Sequence, residues 1–368
     1  MHSEWKNGAM GVRVNHVNGG WSNFPDRVRK HARYIVKNPG VMSRAAGNYI
    51  RMALGQRRLR SVEFAVSFDC FAKCAHCSIS RLAEHHPKRP LMTVEGMRDA
   101  VAQCLDLGAL NINITGGEAL LAPFLPDIIS ACRPKRTVVS VATNGVPVTP
   151  ETARNLAKWG VSIVTMSIDS AIPERHDASR GVPGCFGKLM NAIDLLQKND
   201  IEVFLCTILT NENMRDGDIY RMVGIASEKK VMLTVNPPCE VGEWDNDNVR
   251  LKEEGRRFHR SLLKHANVRW EGSSNYFREG CPAGVEKVYI SPYGDVMPCT
   301  FAHISFGNLT ERPLAVIWEE MSGRAPFNKI HDRCLAGEDP EFQRIYLDPV
   351  AKSLVHPLPV ENHPAFQE

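Results

Sequence analysis

From residue 61 onward, apolar stretches of strand length alternate with apolar positions at helical spacing. Val62 to Phe68 reads as a strand. Val94, Met97, Val101 and Leu105 mark a helix, with Gly108 placed to cap its C-terminus. Leu110 to Ile114, Thr137 to Ala142, Val161 to Ile168, Val203 to Leu209 and Val231 to Val235 read as further strands. Helices fall between them, over Phe124 to Cys132, Pro150 to Trp159, the run marked by Phe186, Met190, Ile193 and Leu196, and Asn213 to Ser227. Six alternating units predict a parallel sheet with helices outside it, curled by right-handed crossovers toward a barrel. The expected fold class is therefore α/β: a partial (β/α)6 TIM-like barrel over residues 61–270. The polar and glycine-rich sequences all follow strands and so gather at one rim, where such folds place their sites.

The flanks carry other patterns. Asp245 to His265 is charged and helical. From residue 271 to 340 the chain reads as a small α+β unit. It holds a hairpin of Val285 to Ile290 with Val296 to Met297, turned at Ser291–Pro292–Tyr293–Gly294–Asp295, and a helix over Pro313 to Met321. Residues 341–368, rich in Pro and His, are expected to form an irregular tail. Residues 1–60 form an N-terminal extension. It has a loop over 1–25, a basic helix from Arg27 to Lys37, and a second helix marked by Met42, Ala46, Tyr49, Ile50 and Ala53.

Charge changes the picture only at that extension. Residues 1–60 hold 12 Lys/Arg against Glu4 and Asp26, a net of +10, while the chain as a whole is only +4. Either these helices pack on the barrel with solvated charges, or they face an anionic lipid or phosphate surface. No nucleic-acid reader motif accompanies them. No apolar run reaches membrane-spanning length and no secretory signal pattern is present, which points to the cytoplasm, with peripheral membrane association as the variant. The 11 cysteines, odd in number and unevenly spaced, then read as metal ligands or buried thiols rather than a disulfide framework.

Three of those cysteines stand together, Cys70, Cys74 and Cys77, spaced C-x3-C-x2-C just after the first strand. So short a loop wraps one corner of a [4Fe–4S] cluster and leaves the fourth iron open. A zinc site with a distant fourth ligand is the other reading, although no second cysteine pair of the kind that zinc knuckles use is present. Gly116–Gly117–Glu118 follows the second strand. There glycines admit a close ligand and a carboxylate accepts from an ammonium group. Thr143–Asn144–Gly145, then Ser167 and Asp169, end the third and fourth strands and suit a ribose or carboxylate, with turn chemistry as the alternative.

Together these segments resemble the radical S-adenosylmethionine (radical SAM) enzymes, over roughly residues 61–335. The resemblance implies a [4Fe–4S] cluster on Cys70, Cys74 and Cys77 whose open iron chelates SAM. His76 would lie against the adenine, and Gly116, Gly117 and Glu118 would hold the SAM amino group. Asn144, Ser167 and Asp169 would line its ribose or carboxylate. The run from Ser167 to Phe186 is similar to a segment of SPASM-type members, in which Arg180 would pair with the SAM carboxylate.

Cys281, Gly294 and Cys299, spaced C-x12-G-x4-C across the hairpin, resemble the opening of the SPASM or shorter twitch domain, which binds an auxiliary [4Fe–4S] cluster. The chain departs from SPASM in offering only Cys334 beyond them. One auxiliary cluster is expected, on Cys281, Cys299 and Cys334. Its fourth position would fall to His303, His331, Cys239 or the substrate itself. Cys239, after the sixth strand, is also the one candidate for a catalytic hydrogen-atom donor. Cys104, Cys132 and Cys206 read as core.

The implied activity is reductive cleavage of SAM to a 5′-deoxyadenosyl radical that attacks a C–H bond. It would use an external one-electron reductant of flavodoxin or ferredoxin type. The short basic extension does not look like a winged-helix peptide-binding domain, which favours a small-molecule, sugar or lipid-like substrate. A ribosomal-peptide maturase is the alternative within the family. A non-catalytic iron–sulfur electron carrier is the alternative outside it.

Overall fold

The computed structural model describes residues 38–84, 86–87, 89–244, 249–276 and 279–367. The basic helix expected over 27–37 and the loop before it lie outside those residues. The first described helix, α1 (Pro39–Ala53), leads to strand β1 (Ser61–Ser67). Then follow α2 (Val94–Asp106), β2 (Asn111–Gly116), α3 (Leu125–Ala131), β3 (Val138–Thr143), α4 (Pro150–Trp159), β4 (Ile163–Ser167), α5 (Pro173–Arg180), α6 (Cys185–Lys198), β5 (Glu202–Ile208), α7 (Asp218–Glu228) and β6 (Met232–Asn236). β1 to β6 pair in chain order, all parallel, as the strand–helix rhythm requires.

The helices begin and end where their local chemistry says they should. The Thr93 and Thr149 hydroxyls accept from the Gly96 and Thr152 amides and cap α2 and α4, and Gly160 closes α4 in the left-handed region. One expected helix, Asn213 to Ser227, is instead two, Asn211–Arg215 and α7, because Gly217 at φ +73° breaks it. α5 was not read from the sequence at all; its mean composition is too polar for an apolar stripe, and it matters below.

The strands alternate more strictly than a sheet covered on both faces usually does. Val62, Phe64 and Val66, Ile112 and Ile114, Val139 and Val141, Val164 and Met166, Val203 and Leu205, and Leu233 and Val235 are buried in one core under the helices. Each such side chain stabilises the fold by roughly 1.5–3 kcal/mol. The intervening positions, among them Glu63, Asn111, Asn113, Ser140, Thr165, Cys206 and Asn236, are mostly polar and face one another inside. Ser140 Oγ donates to Asn111 Oδ1 at 3.2 Å and Asn113 Oδ1 at 3.0 Å, and Asn236 Nδ2 lies 3.6 Å from Cys206 Sγ. The barrel thus encloses a polar lumen instead of the layered apolar core of a closed TIM barrel.

Past β6 come α8 (Glu253–Leu262), β7 (Val268–Arg269), β8 (Lys287–Ile290), β9 (Val296–Met297), β10 (Ile304–Ser305), α9 (Leu314–Gly323) and β11 (Leu358–Pro359). The charged helix expected from Asp245 is described only from Glu253. The hairpin forms as expected but is not a sheet of its own. β8 pairs parallel with β1, so the order runs β7-β6-β5-β4-β3-β2-β1-β8-β9. The C-terminal residues, expected to be irregular, are folded. β11 pairs with β10, His363 is buried, and Phe366 packs edge-on to Phe306 at 5.6 Å. Aromatic and aliphatic residues scattered among the prolines supply the apolar contacts that composition alone hid.

Arg44, Arg57 and Arg58 of the extension bind backbone carbonyls, and Arg60 lies 3.8 Å from the Glu286 carboxylate. Arg44 donates to Ala109 O at 2.9 Å and to Leu105 O, Arg58 to Asp106 O at 2.8 Å, and Arg57 to Ser322 O at 2.8 Å. Leu105 and Asp106 are at the C-terminal end of α2, where cations are favoured. For residues 38–60 this is the packing arrangement. No helix among the described residues is long and apolar enough to cross a membrane.

Candidate functional site

The Cys70–Cys77 loop and the residues leading into it are pinned by backbone from the end of β2, the last turn of α5 and the segment after β6. From β2, Gly117 N donates to Ser67 O and Glu118 N to Asp69 O, each at 2.8 Å. From α5, the carbonyls of Arg180 and Ser179 accept from Lys73 N at 3.1 Å and Ala75 N at 2.9 Å. After β6, Glu243 N donates to Cys77 O at 3.1 Å. A Cβ on Gly116 would lie 2.0 Å from Ser67 O, on Gly117 2.2 Å from Asp69 O, and on Gly242 2.0 Å from Cys77 O. The close approach that Gly116 and Gly117 allow is therefore to this loop, and Gly116 at φ +138° also needs glycine's conformational freedom.

Cys70 is exposed, Cys74 and Cys77 half-buried, and all eleven cysteines are free thiols. Glu118 is buried; its Oε2 accepts from Asn144 N at 2.9 Å and its Oε1 from Leu120 N at 3.2 Å, while burial pushes its pKa up. Asn144 turns its own Oδ1 to Val146 N at 2.9 Å. His76 lies 3.6 Å from Asp169 and 5.3 Å from the Trp244 ring, and burial lowers its pKa against the pull of Asp169. Ser167 is half-buried at the end of β4, in register with Cys206.

Arg180 and Asp169, expected to meet SAM separately, meet each other. Arg180 Nη2 donates to Asp169 Oδ1 at 2.6 Å and Nη1 reaches Cys74 Sγ at 3.6 Å. Ser179 Oγ donates to the other Asp169 oxygen at 2.8 Å. Burial opposes both charges, but the pairing overrides it, lowering Asp169 and raising Arg180. Arg180 Nε is buried with no hydrogen-bond partner among the described residues. α5 places this pair; its polar sequence gave no periodic signal, but Arg180 followed by Gly181, the glycine of its C-terminal cap at φ +63°, is the trace it leaves.

The second group of thiols surrounds one cavity. Cys281, Cys299 and Cys334 line it together with Cys239, Glu271 and Lys287. The thiols of Cys281, Cys299 and Cys334 are all pushed up, Cys299 by burial to about 12. A relay of contacts brings Cys334 there. Its amide donates to Glu338 Oε2 at 3.0 Å, Glu338 lies 3.6 Å from His259 of α8, and His259 Nε2 lies 2.9 Å from Val235 O in β6. Of the other expected partners, His303 Nε2 lies 2.8 Å from Thr300 O and His331 Nε2 2.8 Å from Pro326 O, and neither lines the cavity.

At the cavity wall, Lys287 Nζ bonds Glu63 Oε1 at 2.9 Å and also Glu271, and Thr300 Oγ1 donates to Glu63. Burial pushes the Glu63 carboxyl up to about 8, with help from Glu271 and against Lys287, and the same ammonium holds Glu271 down at about 2. Glu63 is raised, so its contribution to stability is complete below the ordinary carboxylate range and is lost as pH rises through about 8. Glu271 behaves oppositely, losing its contribution only as pH falls through about 2. Urea midpoints of the wild type should therefore drop between pH 6 and pH 9 more than those of Glu63→Gln; parallel curves would refute the assignment.

Among the described residues no three His, Cys, Asp or Glu side chains gather closely enough for a single metal ion, as the zinc reading would require. A four-iron cube takes its thiolates at separate corners, and three thiols on one pinned loop fit it.

Residues 65–223 match the model of the radical SAM superfamily, and residues 281–336 match that of SPASM, an iron–sulfur cluster-binding domain. The chain belongs to the radical SAM superfamily. This radical SAM enzyme therefore uses a [4Fe–4S] cluster and SAM, and carries a domain of the kind that binds auxiliary iron–sulfur clusters. It is 26% identical over 303 residues to an AdoMet-dependent heme synthase of Methanosarcina barkeri, covering 74% of this chain and 85% of that one. It is 27% identical over 274 residues to a PqqA peptide cyclase of Streptomyces rochei, covering 68% and 72%. Among solved structures its fold is like that of SuiB from Streptococcus suis bound to precursor peptide SuiA. The TM-score is 0.58 at 16% identity, over 88% of this chain and 74% of that one. It is also like anSMEcpe with bound AdoMet, with a TM-score of 0.53 at 18% identity, over 75% and 83%.

Proposed function

We propose that this radical SAM enzyme abstracts a hydrogen atom from a small-molecule substrate held in the polar lumen. Cys70, Cys74 and Cys77 hold the SAM-binding cluster, and Cys281, Cys299 and Cys334 an auxiliary one. The bound cluster and SAM supply the 5′-deoxyadenosyl radical once an external carrier of flavodoxin or ferredoxin type delivers an electron. The protein's part is placement. Glu118 and Asn144 accept and orient the amino-acid end of SAM from the β2 and β3 rim, with Gly116 and Gly117 setting the height of the loop beneath. His76, Ser167 and Asp169 border the nucleoside end, and Arg180 steadies Asp169. Glu63, Lys287 and Glu271 offer the substrate both signs of charge, and Asn111, Asn113 and Ser140 offer hydrogen bonds.

The observation that carries the reading is the lumen. Its inner face is lined by amides, hydroxyls and the Glu63–Lys287–Glu271 group, the donors and acceptors that a compact polar molecule requires. Relatives named AdoMet-dependent heme synthase and Fe-coproporphyrin III synthase support a small-molecule substrate. Relatives named PqqA peptide cyclase and mycofactocin maturase support the peptide reading.

The two separate in one experiment. Anaerobically reconstituted enzyme with SAM and dithionite is given extracts of cells grown in deuterated medium, split into peptide-free metabolites and peptides. Deuterium should enter 5′-deoxyadenosine from the metabolite fraction. Transfer from the peptide fraction alone would overturn the small-molecule reading, and no 5′-deoxyadenosine with either would favour an electron carrier.

A further inference from the structure

We infer that Cys239 is the fourth thiolate of the auxiliary centre, which closes that centre to substrate. The inference rests on the reading that Cys281, Cys299 and Cys334 hold a cluster, and it adds a ligand from the barrel, outside the residues that match the cluster-binding domain.

Two observations converge on Cys239. It is only 5% exposed, and it lines the same cavity as the other three thiols. Its position is fixed by the barrel. Pro237 and Pro238 stiffen the exit from β6, and residue 337 packs so tightly on them that a Cβ there would lie 2.7 Å from Pro237 Cγ. The competing ligands are turned elsewhere, His303 and His331 each lying against a backbone carbonyl outside the cavity.

The same placement removes Cys239 from the role of hydrogen-atom donor at the rim. It lines the cavity of the thiols, and its sulfur lies 3.8 Å from Pro237 O. With four thiolates, every iron of the auxiliary cube has a protein ligand, so the substrate is held by lumen side chains and not by a metal bond. The cluster then also ties the exit of β6 to the hairpin and to the loop at Cys334.

The test isolates the auxiliary centre in the full chain by changing Cys70, Cys74 and Cys77 to Ala. This parent should retain about four irons. On reduction, its electron paramagnetic resonance signal should show no coupling to added 13C-cyanide. Adding Cys239→Ala should open one iron, so that cyanide coupling appears, and Cys239→Ser should suppress it again. Cyanide coupling in the parent already would overturn the fourth-ligand assignment, whatever the variants do. So would a Cys239→Ala protein whose spectrum and iron content match the parent. A parent with no iron would instead overturn the auxiliary-cluster reading on which this one stands.

Discussion

Gly117→Ala is expected to cost the protein its SAM-binding cluster while leaving most of the barrel folded. The new Cβ would stand 2.2 Å from Asp69 O and 2.6 Å from Phe68 O, and both are backbone atoms that cannot swing aside. The loop must move outward, which breaks the 2.8 Å bond from Glu118 N to Asp69 O and displaces Cys70, next in the chain. Overpacking of this kind costs about 1–3 kcal/mol. Iron content should fall by about four per chain and SAM-dependent 5′-deoxyadenosine formation should fall at least a hundredfold. Gly187→Ala is the control: it sits inside α6 with nothing within 4 Å of a new Cβ. It should gain up to about 1 kcal/mol from helix propensity and keep all its iron. Full iron loading in Gly117→Ala would show that the loop has slack that the backbone contacts do not reveal.

Arg180→Met should have the next largest effect, and its pattern separates two roles. If the guanidinium serves mainly to hold Asp169, removing it leaves a buried carboxylate unpaired, at a cost of about 3–5 kcal/mol. Asp169→Asn on top of Arg180→Met should then recover much of that loss, because the uncompensated charge is gone. The bond to Cys74 adds a second signature. Without that donor the cluster thiolate carries more charge, and the midpoint potential of the SAM cluster should fall. If Arg180 serves only the SAM carboxylate, Arg180→Met should weaken SAM binding at least tenfold and leave both unfolding and potential unchanged. Denaturant melts, an equilibrium SAM titration and a redox titration together decide between them.

Much of the site was legible because its signals are local. Cys70, Cys74 and Cys77 lie within one loop, and a glycine pair or an amide at a strand end announces itself by position. The helix of 94–106 was legible for the same reason, through its 3.6-residue apolar stripe. The lumen was written there too, in Glu63, Asn111, Asn113 and Ser140, polar residues at alternate positions of β1 to β3. α5 escaped because an almost wholly polar helix has no stripe, and the C-terminal segment because prolines and histidines masked its buried aromatics.

The amino-acid order alone settled the strand–helix rhythm, the rim on which the chemistry gathers and the three cysteines of the first loop, since these depend on periods and short spacings. Only the tertiary structure decided that Arg180 faces Asp169, that the hairpin extends the barrel sheet beside β1, and that Cys239 lines one cavity with cysteines 42, 60 and 95 positions further along. Those outcomes depend on where separate elements come to rest against each other. Packing and desolvation fix that, and no interval along the chain encodes it.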